Sequence, residues 1–135
     1  MATTTTGTTS LIAFTLPSTP YCVQLARFYV RSALSYHGLS DYSEDAELVT
    51  SEIVTNAVRH ADAQNIGLEL TTLHGSEALA IVVTDTSPVP PVKRGLSVDS
   101  DSGRGLDIVA ALSARWGWRP ESGGKAVFAI LTREG

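Results

Sequence analysis

The chain pairs like with like. Two helical patterns follow one another over residues 21–61, and two strand patterns follow one another over 65–85. Between the strands stands only the short turn "HGSE". Strands and helices that segregate in this way predict an α+β two-layer sandwich rather than a wound βαβ sheet. The expected sheet is mixed but mainly antiparallel, with about three helices covering one face.

The individual segments follow from their periodicity and punctuation. "LIAFTL" (11–16) reads as a first strand, and residues 17–20 break it. Thr19 and Pro20 read as the cap and first turn of a helix whose apolar residues recur at helical spacing to Tyr36. Gly38 reads as its C-terminal cap. Ser43 opens the second helix, with Glu44, Asp45 and Glu47 in its first turns, where negative charge suits the helix dipole. "NIGLELTTL" (65–73) and "ALAIVVTD" (78–85) are strands. A Pro-rich segment over 86–102 has no periodicity. A third helix is expected over 103–113, then a hairpin formed by 114–120, a Gly-Gly turn and 125–133.

Composition limits the functional classes. At 135 residues, with 43% hydrophobic and 18% charged residues, the chain has the make-up of one globular domain. The formal net charge of −4 argues against nucleic acid as a direct partner, because phosphate binding shows as a basic face. The single cysteine, Cys22, excludes an internal disulfide and reads as a small buried hydrophobe in a cytoplasmic protein. Residues 1–10, "MATTTTGTTS", read as a flexible tail without signal-peptide features, and 11–135 as the single domain. No apolar run reaches the ~20 residues of a membrane span.

The second helix carries more chemistry than a packing helix needs. On a wheel at about 100° per residue, Val49, Ile53, Val54, Ala57, Val58 and Ala61 share one broad face. Ser51, Thr55, Arg59 and Asp62 lie opposite. Glu52 and Asn56 sit on the border, stacked one turn apart, and His60 continues their line. A border side chain is either a solvated flank or the wall of a pocket. In a pocket, Glu52 could take a proton from an attacking hydroxyl, and the Asn56 amide oxygen is a hard ligand suited to Mg²⁺.

Three other features bear on that choice. Asp85 ends an otherwise apolar strand, so it either caps the following turn or faces a site. The Pro-rich segment, which carries Lys93 and Arg94, has the length and composition of a lid or of a plain surface loop. Gly103 and Gly105, with Arg104 between them, open a helix whose free N–H groups could take an anion. The pattern is neither a P-loop nor a dinucleotide fingerprint.

Together these stretches resemble the GHKL ATPases, the superfamily of histidine-kinase catalytic domains, the Hsp90 nucleotide domain and gyrase B. Within it the chain resembles the serine/threonine kinases that act as anti-sigma factors. "ELVTSEIVTNAVRHA" (47–61) is similar to the N box, "VTDTSPVPP" (83–91) to the G1 box, and "GRGLDIVAALSARWGW" (103–118) to the G2 box with its following strand. "GGKAVFAI" (123–130) stands where the closing glycine motif lies. The resemblance runs from Leu11 onward.

The resemblance implies a Bergerat-type ATP-binding fold that takes ATP and Mg²⁺. It implies that Glu52 is the catalytic carboxylate, that Asn56 holds Mg²⁺, and that Asp85 hydrogen-bonds the adenine amine. It implies that Gly103, Arg104, Gly105 and Leu106 form the phosphate-binding turn, with His60 and, more loosely, Arg59 facing the phosphates. It further implies a sigma factor and an anti-sigma-factor antagonist as partners, and a homodimer built on the first strand and first helix. Two departures stand out: Ser87 where the first G1 glycine would be, and Ala126 in place of a Thr that helps hold adenine through water.

Overall fold

The computed structural model describes residues 7–60, 65–87 and 100–133, with the backbone alone at 60 and 100–104. The strands are β1 (Thr9–Pro17), β2 (Asn65–Leu73), β3 (Ala78–Asp85), β4 (Arg115–Glu121) and β5 (Gly124–Thr132). The helices are α1 (Cys22–Tyr36), α2 (Ser43–His60) and α3 (Ser100–Leu112). The strands form one sheet in the order β1-β2-β3-β5-β4. All four pairings are antiparallel, so the parallel pair of a mixed sheet is absent among the described residues. The two-layer α+β sandwich expected from the sequence is present.

The sheet is two-sided by alternation. Along β3, Leu79, Ile81, Val83 and Asp85 are buried while Ala80, Val82 and Thr84 are partly exposed. The buried row faces the helices, and α2 packs on β3 between α1 and α3. Its stripe of Ala46, Val49, Ile53, Val54 and Ala57 merges with Leu68, Leu70 and Ile81 in one core. Val49, Ile53, Val54 and Ala57 are the buried part of the apolar face read from the wheel; Val58 is partly buried, and Ala61 lies outside the described residues. Cys22 is fully buried, as its reading required.

Local signals explain most of the boundaries. At the end of α1, Gly38 adopts φ +73 and the Leu39 N–H reaches back to the Leu34 carbonyl at 2.7 Å. That six-residue closure is the Schellman arrangement expected of a glycine cap. Ser43 Oγ donates to Glu47 Oε2 at 2.6 Å at the start of α2. The start of α1 differs from expectation. Tyr21 is the N-terminal flanking residue and makes no side-chain bond, and Thr19 contributes only its carbonyl, to the Cys22 N–H at 3.0 Å. Pro20 therefore sits outside the helix.

The first strand begins at Thr9, inside the expected tail, because Thr9 and Ser10 pair with Thr72 and Thr71 of β2. A bulge between Ser10 and Ile12 shifts the register. Helix α3 begins at Ser100, earlier than the expected start at Gly103, so Gly103 and Gly105 lie within its first two turns. Of the expected lid, residues 88–99 with Lys93 and Arg94 lie outside the described residues, as do residues 1–6 of the expected tail.

Candidate nucleotide site

The wall of the site is the border of α2. Glu52 and Asn56 are half-buried and Arg59 is exposed, as the wheel predicted. The packing of α2 on α3 brings the Glu52 carboxylate against the backbone of Gly105. A Cβ built on Gly105 would lie 3.0 Å from Glu52 Oε1. Leu106, the next residue, is buried and anchors this turn of α3 in the interior. Glu52 of α2 and Gly105 of α3 thus lie side by side. The side chains of His60 and Arg104 lie outside the described residues.

Burial pushes the Glu52 carboxyl above the ordinary glutamate value, and the positive charges of Arg59 and Arg27 pull it partly back. Arg59 was placed by the wheel on the solvated side; it is exposed, yet its charge reaches Glu52. Arg27 on α1 was not singled out in the sequence, since no pattern within one helix shows what a neighbouring helix places beside it. A carboxyl raised in this way and still open to one side is suited to proton transfer.

A second group of the sequence-predicted residues stands at the tip of β3. The Ser87 N–H donates to Asp85 Oδ1 at 2.8 Å, so the carboxylate closes its own turn. Lys125, directly across the ladder on β5, donates from Nζ to the same oxygen at 3.1 Å. Nζ also lies 3.0 Å from Oδ2, with both side chains almost fully buried. That second approach is off the line of a hydrogen bond, and among the described residues Oδ2 has no hydrogen-bond partner. The two sequence readings of Asp85, turn cap and site residue, are therefore both available: Oδ1 does the capping and Oδ2 remains as a buried acceptor. Gly124 permits the arrangement, because a Cβ there would run into the Asp85 carbonyl oxygen.

Ala126 requires a correction. Residues directly opposite in an antiparallel ladder share a face. Ala126 is opposite Thr84 and Lys125 is opposite Asp85. Ala126 therefore faces away from Asp85, and the residue that stands beside the carboxylate is Lys125. Sequence reasoning missed it because one residue of register decides which side of the pleat a side chain takes. The available signal was a lone lysine beginning an apolar strand.

The residues fit a nucleotide with Mg²⁺. The buried Oδ2 is an acceptor awaiting a donor such as an amine, and Asn56 supplies a neutral oxygen one turn from Glu52. Among the described residues no group of three or more His, Cys, Asp or Glu side chains could hold a metal by itself. Mg²⁺ usually takes one or two protein ligands and completes its shell with phosphates and water, so Asn56 would be its ligand from this chain. A groove of about 300 Å³ also touches Asp85, lined by Thr15, Gly67, Thr84 and residues 121–123. Thr84 and its neighbours place that groove on the open face of the sheet, away from α2.

Comparison with known proteins bears on the fold and the family. No curated protein sequence matches the chain. Among solved structures, the RsbU and RsbW domains of Rv1364c from Mycobacterium tuberculosis share the fold, with TM-score 0.68 and 21% identity over 90% of this chain. The match covers 32% of that chain, so the present chain corresponds to about a third of it. The histidine kinase domain from the Erythrobacter litoralis EL346 blue-light activated histidine kinase matches over 69% of this chain and 45% of its own, with 22% identity and TM-score 0.48. The family model of the histidine kinase-like ATPase domain matches residues 16–131, which include every described strand in whole or in part, the three described helices, the flank of α2 and the tip of β3. With that extent of match, the chain belongs to the histidine kinase-like ATPase domain family.

Proposed function

We propose that the chain is an ATP-binding serine/threonine protein kinase that acts as an anti-sigma factor in the cytoplasm. The observation that carries this reading is the buried Asp85 carboxylate on the helix-covered face of the sheet, whose Oδ2 makes no hydrogen bond among the described residues although Lys125 Nζ lies 3.0 Å away. In this reading the adenine amine donates to that oxygen beside the lysine. Glu52 packed on Gly105, with Asn56 one turn on, supplies the other end.

In this reading Asn56 would hold Mg²⁺, which neutralises charge on the phosphates. Gly105 and the backbone N–H groups at the start of α3 would meet the phosphate chain, and the family resemblance assigns Arg104 and His60 to it as well. Glu52 orients the hydroxyl of a Ser or Thr on the antagonist and takes its proton. The hydroxyl oxygen bonds to the γ-phosphorus as the bond to the β,γ-bridging oxygen breaks, and ADP leaves with that electron pair. Positioning and charge neutralisation of this kind account for most phosphoryl-transfer catalysis.

The partners in this reading are a sigma factor and an anti-sigma-factor antagonist. Their docking surface, and that of a homodimer, is the outer side of β1 and α1. Phe28, Tyr29 and Tyr36 are exposed there, and the Phe14 and Tyr29 rings meet edge-on at 4.6 Å. A monomeric mass by light scattering at high micromolar concentration would refute the dimer. No helix among the described residues is long and apolar enough to cross a membrane.

The alternative is a regulator that sequesters a partner without using nucleotide, and the ammonium already seated on Asp85 favours it. Calorimetric titration of Mg-ATP and Mg-ADP into wild type and Asn56→Ala separates the two. Binding that vanishes in the variant supports the nucleotide site, and absence of binding to wild type leaves the sequestering module. Phosphate transfer to the antagonist that persists in Glu52→Gln would remove Glu52 from the catalytic role.

A further inference from the structure

An ammonium buried beside a carboxylate has three N–H donors, and this carboxylate uses at most two of them. Nζ of Lys125 donates to Asp85 Oδ1 at 3.1 Å and lies 3.0 Å from Oδ2. The Lys125 side chain is 4% exposed and that of Asp85 1% exposed. Among the described residues Nζ has no partner besides Asp85. Side by side on the helix-covered face, the two strand tips therefore present one acceptor, Oδ2, and one charged donor, the remaining N–H of Nζ. A buried pair that leaves both groups unsatisfied is costly, and a ligand with the complementary edge removes that cost.

We propose that Lys125 is a specificity-determining residue that, with Asp85, reads two adjacent atoms of a nucleobase edge. Asp85 Oδ2 accepts from an exocyclic amine, and Lys125 Nζ donates to the ring nitrogen next to it. The base that fits is an aminopurine of the adenine type, with its 6-amino group and N1 acceptor. This deepens the nucleotide reading above and rests on it. It also gives Lys125 a role that Ala126, on the other face of the sheet, cannot fill.

The test removes the ring acceptor and the lysine donor separately and together. ATP and 1-deaza-ATP, which lacks the N1 acceptor, are titrated calorimetrically into wild type, Lys125→Met and Lys125→Arg. Wild type is expected to bind ATP about tenfold or more tighter than 1-deaza-ATP, the effect of one charge-assisted hydrogen bond. In Lys125→Met the two affinities should agree within about twofold, and Lys125→Arg should recover part of the difference. A purely structural lysine would weaken both nucleotides alike and leave the ratio unchanged, which overturns the proposal. Equal binding of the two nucleotides to wild type, or tighter binding of ITP than ATP, overturns it without any variant having to fold. ATP binding with an unchanged ratio sinks the role of Lys125 alone. Failure of wild type to bind any nucleotide sinks the site reading and this inference with it.

Discussion

Two ion pairs divide the work of this small domain, and they are built differently. Arg31 of α1 meets Glu47 of α2 through Nε at 3.2 Å to both carboxylate oxygens and through Nη2 at 2.8 Å to Oε1. Ser43 adds a donor at 2.6 Å, so both oxygens of Glu47 are served, while Arg31 stays largely in water. Asp85 and Lys125 are both out of water, and one oxygen is left without a hydrogen bond. The first pair is a finished clamp between two helices. The second is unfinished, and the unfinished one stands where the family resemblance puts the base. Completeness of hydrogen bonding, more than proximity of charge, separates a structural pair from a binding one.

The largest effect should come from breaking the unfinished pair. Asp85→Ala strands a buried ammonium and should cost about 3–5 kcal/mol in chemical denaturation. A loss below about 1 kcal/mol would mean that Lys125 escapes to solvent and the pair is not a fixed part of the fold. Gly124→Ala comes next, because the new Cβ meets backbone at Asp85, which cannot swing aside. We expect about 3 kcal/mol, the upper range for overpacking, measured in the same way. A near-neutral result would show that β5 can slide relative to β3.

Arg31→Met tests the finished pair. The arginine lowers the Glu47 carboxyl below the ordinary range, through its hydrogen bonds first, with Ser43 helping against the cost of burial. A depressed folded-state value gives stability that is present at neutral pH and is lost as pH falls through it. The variant should melt lower than wild type at pH 7, and the gap should narrow as pH falls below the ordinary carboxylate range, read from melts across that range.

The smallest effect has the opposite sign. Glu52 is raised by burial, so its folded form holds a proton more tightly than the unfolded chain. Its contribution therefore turns unfavourable as pH rises through the raised value, and is absent below the ordinary carboxylate range. Glu52→Gln should melt slightly higher than wild type at pH 7–8, and the gap should close near pH 4. A variant that melts lower at pH 8 would mean the carboxylate makes a bond that is missing from this description.

Much of this was legible in the sequence. β2 and β3 have the bounds read from "NIGLELTTL" and "ALAIVVTD", because alternation and flanking turn residues are local signals. The flank of α2 was also readable, since 3.6-residue periodicity separates Glu52 and Asn56 from the buried stripe. What was not legible depended on contacts between elements. Lys125 beside Asp85 needs the β3–β5 register across 40 residues of chain. Arg27 near Glu52 needs the packing of α1 on α2. The strand at Thr9 and Ser10 exists because β2 offers a partner, and Thr-rich sequence alone does not reveal a partner.

The margins of the sheet carry one more consequence. The β1 margin bends at its bulge and ends in Pro17, and the β4 margin carries Pro120 between Arg119 and Glu121, two charges paired at 3.1 Å. A strand arriving from another molecule finds a missing donor on each side, a kink on one and charge on the other. Growth of the sheet into fibrils is thereby discouraged at both margins. The chain can expose aromatic rings on α1 at high concentration with little risk of edge-to-edge polymerisation, leaving association to its faces.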